Sequence, residues 1–301
     1  MHKVRFYFIL LGELVLSPFL YLNNYWKWNF GKCPKSPVLR QRLSADDNKI
    51  SVCIHEWGGY PAVRQKKLKV AEEFTCGLKF QLERFKNYAG NKQVDICLTL
   101  SEAWRKKEAL LTCNVLEVGN EGMDFSGYAE FFETIREKPN HYVILTNTSV
   151  HQMQTEFLDS YIDYMEANDT VGVLGISYAT KMYQSIIRNN FKPHAQSFFL
   201  LTTRAILQEI VDINGSFPGK GITDKRLLIR NAEIKLSGIV LKLGYEIALV
   251  QEDGSVFKYD SGVLSDNGRC RWTIPMGDNR AHVKNPNAIN AIKSHNFTSN
   301  K

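Results

Sequence analysis

HYVILTNTS, residues 141–149, is the stretch that decides how this chain is read. Tyr142 to Leu145 make an unbroken apolar run, and Thr146, Asn147, Thr148 and Ser149 stop it with small polar side chains. A short apolar run bounded in this way predicts a buried strand. Upstream, VGNEGMDFSGY at 118–128 follows another apolar run and brackets Asn120 and Asp124 with Gly119, Gly122 and Gly127. Two adjacent strand ends would then deliver side-chain oxygens to one sheet edge, where open α/β sheets bind ligands.

Outward from this pair, apolar β-like runs alternate with amphipathic segments. Strands are expected near Ile50–Glu56, Val94–Leu100, Cys113–Val118, Tyr142–Thr146, Val171–Ser177 and Ser197–Leu201. Helices fit between them: Tyr128, Phe131, Phe132 and Ile135 recur at helical spacing, as do Leu158, Ile162 and Met165. Such alternation implies an α/β fold, a mostly parallel sheet sandwiched by helices. The expected organisation is an apolar helix and polar linker over residues 1–49, an α/β domain over 50–260 and an irregular, loose tail over 261–301, rich in Asn, Lys and Ser at its end.

Composition narrows the class. At 301 residues with 44% hydrophobic content the chain can bury a sizeable core. A net charge of +7 and a pI near 9.0 suit an anionic partner. The basic runs Lys27–Arg42 and Arg64–Lys69 lack the aromatics and fold signature of a nucleic-acid reader, so they read as solvated or membrane-facing surface and no nucleic acid is expected. The 6 cysteines (Cys33, Cys53, Cys76, Cys97, Cys113 and Cys270) have no metal-ligand spacing. Cys53, Cys97 and Cys113 sit in apolar runs, as small buried thiols that stay reduced.

Phe6–Leu22 is apolar behind Lys3 and Arg5, but Glu13, Ser17 and Pro18 interrupt it, and a bilayer span needs about 20 apolar residues. It reads as a membrane-seated or short anchor helix, with a buried domain helix or a cleaved signal as alternatives. Tyr25, Trp26 and Trp28 favour a membrane interface. Were it to span, Lys27, Lys32, Lys35, Arg40 and Arg42 would keep the following domain cytoplasmic. The triplets at Asn147, Asn168, Asn214 and Asn296 leave a lumenal type II arrangement open.

The blocks VGNEGMDFSGYAEFF, YVILTNTSV, DTVGVLGIS, HAQSFFLLTTRAIL and NAEIKLSGIVLKLGYEI, in that order and spacing, resemble the rhamnan-synthesis F-like glycosyltransferases, a branch of the GT-A nucleotide-sugar transferase superfamily. The similarity covers roughly Ile50 to Val250. It implies a GT-A-like domain that moves a sugar from a nucleotide-sugar donor to a polysaccharide or glycoconjugate, with inversion, and uses a divalent cation, Mn or Mg. The alternative is a non-catalytic nucleotide- or glycan-binding protein on a degenerate GT-A fold.

By that resemblance the donor meets His55, Trp57, Asn120, Gly122, Asp124, Asn147 and Ser149, with Trp57 or Tyr60 stacking on its base. Asp124, Asn147 and Ser149 are the metal candidates. The family's N-D-S reads Asn147-Thr148-Ser149 here, so its middle acid is missing. Either Asn147 and Ser149 still hold the donor with weaker metal dependence, or Asp124 supplies the charge, or catalysis is lost. His194, Gln196 and Ser197 are the acceptor candidates, and Glu233 is the candidate general base. Each has a plain structural counterpart. Asp124 or Ser126 would serve as a helix N-cap, Asn147 and Ser149 as turn and cap residues, and Glu233 as a favourable charge at a helix start.

Overall fold

The computed structural model describes residues 1–29, 39–67, 73–105, 113–182, 184–187, 190–259 and 287–293. Helices α1 (His2–Val15) and α2 (Ser17–Asn29) open the chain, followed by β1 (Asp46–Glu56), a hairpin of β2 (Arg64–Lys66) and β3 (Phe74–Cys76), α3 (Leu78–Lys86), β4 (Gln93–Leu100) and β5 (Asn114–Glu117). Next come α4 (Asp124–Ile135), β6 (His141–Asn147), α5 (Leu158–Ala167), β7 (Val171–Gly175) and a second hairpin, β8 (Tyr178–Lys181) with β9 (Phe191–Ala195). The rest is β10 (Phe199–Thr203), α6 (Arg204–Asn214), α7 (Lys225–Asn231), α8 (Glu233–Lys242), β11 (Glu246–Val250) and β12 (Val256–Tyr259).

The main sheet has 8 strands in the order β12-β11-β7-β10-β6-β1-β4-β5. β1 runs parallel to β4 and β6, β4 to β5, and β7 to β11; β10 is antiparallel to β6 and β7, and β12 to β11. The fold is thus the expected α/β class, a mostly parallel sheet flanked by helices. From β1 the chain steps outward to β4 and β5, then returns to lay β6 on the other side of β1. This reversal opens a crevice at the carboxyl ends of β1 and β6. There His55 and Asn147 stand opposite each other in register.

Alternation along the strands feeds both layers. Ile50, Val52 and Ile54 of β1 pack with Leu98 and Ile144 under α5, whereas Cys53 packs with Cys97, Val143 and Leu145 under α4. α4 adds Phe125, Tyr128, Phe132 and Ile135 to its layer; α5 adds Leu158, Tyr161, Ile162 and Met165 to the other. Burying each large apolar side chain is worth roughly 1.5–3 kcal/mol. α4 lies close on β1 and β4 because residue 127 is glycine: a Cβ there would stand 2.2 Å from His55 Nδ1 and 2.4 Å from Thr99 Oγ1.

Several expectations change. The expected linker is not free: Arg40 makes paired 2.9 Å bonds to Glu209, and buried Arg42 donates to Tyr142 Oη at 3.0 Å and to the Met165 carbonyl. A basic residue in this run is therefore a clamp rather than solvated surface. The apolar N-terminal stretch is not one helix. α1 and α2 meet at 74°, and among the described residues no single helix is long and apolar enough to cross a membrane. Pro18 explains the break, since its ring cannot follow a preceding helical turn and suits a helix start. Phe6 is buried, with the Arg226 guanidinium 4.2 Å from its ring centre, and Glu13 pairs with Arg230. Outward, Tyr7, Phe8, Leu11, Leu14, Phe19 and Trp26 are exposed.

Cys53 and Cys97 are buried thiols as expected, Cys113 is only partly buried, and Cys76 is buried at the end of β3 in the first hairpin; none of these is in a disulfide. In the expected loose tail, Ala288 is buried, Ile289 and Ile292 pack into the α5 layer, and Asn287 Nδ2 donates to the Ser149 carbonyl at 3.0 Å. Lys32, Cys33, Lys35, Lys69, Cys270, the Asn296 triplet and the remainder of the tail lie outside the described residues.

Candidate functional site

A cavity of about 560 Å³ occupies the crevice at the β1 and β6 ends. Its wall carries His55, Trp57, Asn120, Asp124, Asn147, Ser149, Gln196, Ser197 and Glu233, residues scattered over the chain. A larger hollow of about 650 Å³ beside α3 and the start of α5, lined by Arg84, Tyr88 and Asp159, holds none of them.

At the centre is a hydrogen-bonded chain. Asn147 Nδ2 donates to Asp124 Oδ2 at 2.7 Å, and Ser197 Oγ lies 3.2 Å from the same oxygen and 2.9 Å from Glu233 Oε1. The Ser197 amide also donates to Glu233 Oε1 at 3.1 Å. Asp124 and Glu233 each open a helix, α4 and α8, where partial positive charge favours a carboxylate. Neither caps its helix: Met123 and Ala232 are the N-cap residues, and no side-chain cap bond forms. Asp124 is aimed by the turn before it, where Gly122 (φ 100°) and Met123 (φ 50°) take left-handed conformations. Gly122 itself does not line the cavity. A Cβ at that position would stand 2.9 Å from the Gly219 carbonyl oxygen.

The Asn147-Thr148-Ser149 turn is partly structural, as one sequence reading allowed. Asn147 Oδ1 accepts from the Ser149 amide at 2.9 Å, so the turn is held by its own side chain. Thr148 is buried with its hydroxyl donating to Glu56, which also accepts from the Gly58 amide at 3.2 Å. Ser149 Oγ accepts from Arg64 Nη2 at 3.0 Å. These bonds bear on how a metal could be held. Asn147 turns its amide protons toward Asp124, the Ser149 hydroxyl faces a guanidinium, and Asp124 is the one carboxylate of the expected metal set. Among the described residues no group of His, Cys, Asp and Glu has metal-holding geometry. Hard divalent ions need several oxygen ligands, and the expected set offers one carboxylate beside an amide and a hydroxyl already engaged by Asp124 and Arg64.

His55 is buried and bonded to Thr99 Oγ1 at 3.1 Å; burial pulls its pKa down, against the pull of Asp124, and keeps the ring neutral. Trp57 and Tyr60 stand edge to face at 5.0 Å on the rim, where an aromatic face can meet a base. Gln196 lines the cavity, its side-chain oxygen accepting from Ser177. His194, expected beside an acceptor, is instead buried behind Glu233: its Nε2 is 3.8 Å from Glu233 Oε2, and burial lowers its pKa despite that carboxylate. Its Nδ1 faces the Lys192 carbonyl at 2.6 Å, and it does not line the cavity.

Sequence reading missed the cations. Arg64 and Lys66 of β2 and Lys225 of α7 complete the wall, although the run from Arg64 reads as solvated surface. The Arg64 guanidinium sits 3.9 Å from the Tyr60 ring centre and the Lys66 ammonium 4.9 Å from that of Phe198. Burial, followed by repulsion from Arg64, lowers the Lys66 pKa to about 8. A signal was present, since positions i and i+2 of a strand share a face.

No family model and no curated protein matches the chain. Among solved structures it is similar to the bifunctional IspDF from Campylobacter jejuni, at 14% identity and TM-score 0.39, over 68% of this chain and 50% of that one. It is similar also to the mannosyltransferase PcManGT from Pyrobaculum calidifontis in complex with GDP-Man and Mn2+, at 10% identity and TM-score 0.37, over 82% and 64%. A third is a 4-diphosphocytidyl-2C-methyl-D-erythritol synthase, at 13% identity and TM-score 0.38, over 78% and 95%. The chain thus spans half the length of the first of these structures.

Proposed function

We propose that this chain is a GT-A-like glycosyltransferase that moves a sugar from a nucleotide-sugar donor to a polysaccharide or glycoconjugate acceptor with inversion. One observation carries the reading: Asp124, Asn147, Ser197 and Glu233, drawn from separate sequence blocks, form one hydrogen-bonded chain in a cavity at the strand-order reversal. The same blocks carry the resemblance to the rhamnan-synthesis F-like family. The Trp57 and Tyr60 rim suits the donor's base. Asp124, held by Asn147 and Ser197, orients donor hydroxyls, and Gln196 lies on the acceptor side. Glu233 takes the proton of the acceptor hydroxyl; that oxygen bonds to the anomeric carbon as the bond from this carbon to the phosphate oxygen breaks, and the nucleoside diphosphate leaves. The Ser197 hydroxyl and amide fix the Glu233 carboxylate for that transfer.

The exposed apolar face of α1 and α2 supports seating on a membrane surface, with Glu13 pinned to Arg230 favouring a helix pair that lies in the interface plane. Were the pair to span instead, the basic residues that follow would favour a cytoplasmic catalytic domain, with a lumenal type II arrangement as the alternative. Incubation with a panel of nucleotide sugars and glycan acceptors tests the reaction. Product that disappears in Glu233→Gln, with donor binding retained, is the expected result. The non-catalytic alternative, favoured by Thr148 standing where the family has an acid, requires binding without product in both proteins.

A further inference from the structure

Arg64, Lys66 and Lys225 face the same cavity, and among the described residues none of them has a carboxylate within ion-pair distance. Like charges gathered without counter-ions in a partly enclosed cleft destabilise one another. Arg64 is nevertheless held firmly. Ser149 Oγ accepts from Arg64 Nη2 at 3.0 Å, the Ser149 amide is tied to Asn147 Oδ1 at 2.9 Å, and the Tyr60 ring backs the guanidinium at 3.9 Å. Arg64 Nε is buried with no partner among the described residues. The polar cluster that ends β6 therefore aims an arginine into the cleft.

We infer that Arg64, Lys66 and Lys225 form a metal-independent clamp for the donor's diphosphate, in place of a divalent cation, for which Asp124, Asn147 and Ser149 offer one carboxylate and two engaged side chains. This rests on the function proposed above and names how its site binds the leaving group. Arginine grips phosphate oxygens through two parallel N–H bonds, and lysine acts as a point charge. A dianionic diphosphate supplies the counter-charge that these side chains lack. Fixed cations aimed at the leaving oxygens stabilise negative charge as it develops there, the task a metal ion performs elsewhere. The missing acid at Thr148 is then consistent with an active site, because the position it would occupy is buried against Glu56.

Calorimetric titration of the full chain with inorganic pyrophosphate and with a panel of nucleoside diphosphates, each in EDTA and in manganese, tests the clamp. Dissociation constants that agree within about twofold between the two conditions are expected, together with losses of tenfold or more in Arg64→Met and Lys66→Met and near-complete retention in Lys66→Arg. Thermal melts establish that the variants fold; should a Met variant not fold, the EDTA comparison and Lys66→Arg still decide. Binding that appears only with manganese would overturn the clamp and leave the transferase reading standing. Absence of binding to every diphosphate in both conditions would remove the transferase reading and the clamp with it. Equal losses in Lys66→Arg and Lys66→Met would show that Lys66 acts through packing, and would overturn its part.

Discussion

Replacing Gly127 by alanine tests whether the close seat of α4 on β1 and β4 carries the site. Alanine is the better helix former, by about 1 kcal/mol in an unobstructed position. Here its Cβ would meet His55 Nδ1 at 2.2 Å and Thr99 Oγ1 at 2.4 Å, both buried and bonded to each other at 3.1 Å. Relieving that overlap costs roughly 1–3 kcal/mol as overpacking. Losing the buried His55–Thr99 bond costs about 1–3 kcal/mol more. The net is a loss of about 3 kcal/mol, a fall in melting temperature of roughly 5 °C for a chain of 301 residues. Gly238, exposed on α8 with nothing within 4 Å of its Cβ position, is the matched control: Gly238→Ala should gain roughly 0.5–1 kcal/mol. Urea titrations of both variants measure the difference. A stabilised Gly127→Ala would refute the reasoning. Because α4 carries Asp124 toward Asn147, Gly127→Ala should also weaken donor binding, and Gly238→Ala should not.

Glu233→Gln should lower turnover by a hundredfold or more while the donor dissociation constant stays within about twofold, measured by parallel kinetics and calorimetry. Diphosphate binding should weaken as pH rises from 7 to 9: Lys66, facing Arg64, Cys76, Asp124 and Lys225, loses its proton near pH 8 in the free protein, and the anion favours the protonated form. Lys66→Arg should flatten that profile, and an unchanged profile would exclude Lys66 from the contact. Thr148→Asp should destabilise the fold by roughly 3–5 kcal/mol, because it buries a second carboxylate beside Glu56; a stable variant with new metal binding would contradict that environment. Leu11→Glu with Phe19→Glu should abolish sedimentation with anionic vesicles without changing the melt, since both side chains are exposed.

Period-two and helical patterns made the core legible, which is why β1, β4, β5, β6, β7 and α4 stand where the apolar runs placed them. Strand direction was not legible. β10 runs antiparallel because the β8–β9 hairpin, not a crossover helix, connects it to β7, and nothing in a five-residue strand encodes its neighbour. The carboxylates and amides of the site stood out because they end strands or open helices. Arg64 and Lys66 did not, because a three-residue strand is too short for its alternation to rise above a basic run. His194 was misplaced for another reason: only packing shows that the side chain beside a site residue points behind the wall. Arg42 likewise looks like one charge among many until Tyr142 and Met165 are seen to enclose it.

An experimental structure with a bound nucleoside diphosphate-sugar tests the central claim most directly. The diphosphate should lie between the ends of β1 and β6, within hydrogen-bond distance of Arg64 and Lys66, with the sugar reaching toward Asp124 and Glu233. A nucleotide seated instead in the hollow beside Arg84, Tyr88 and Asp159, or one whose phosphates point away from the β1 and β6 ends, would contradict it.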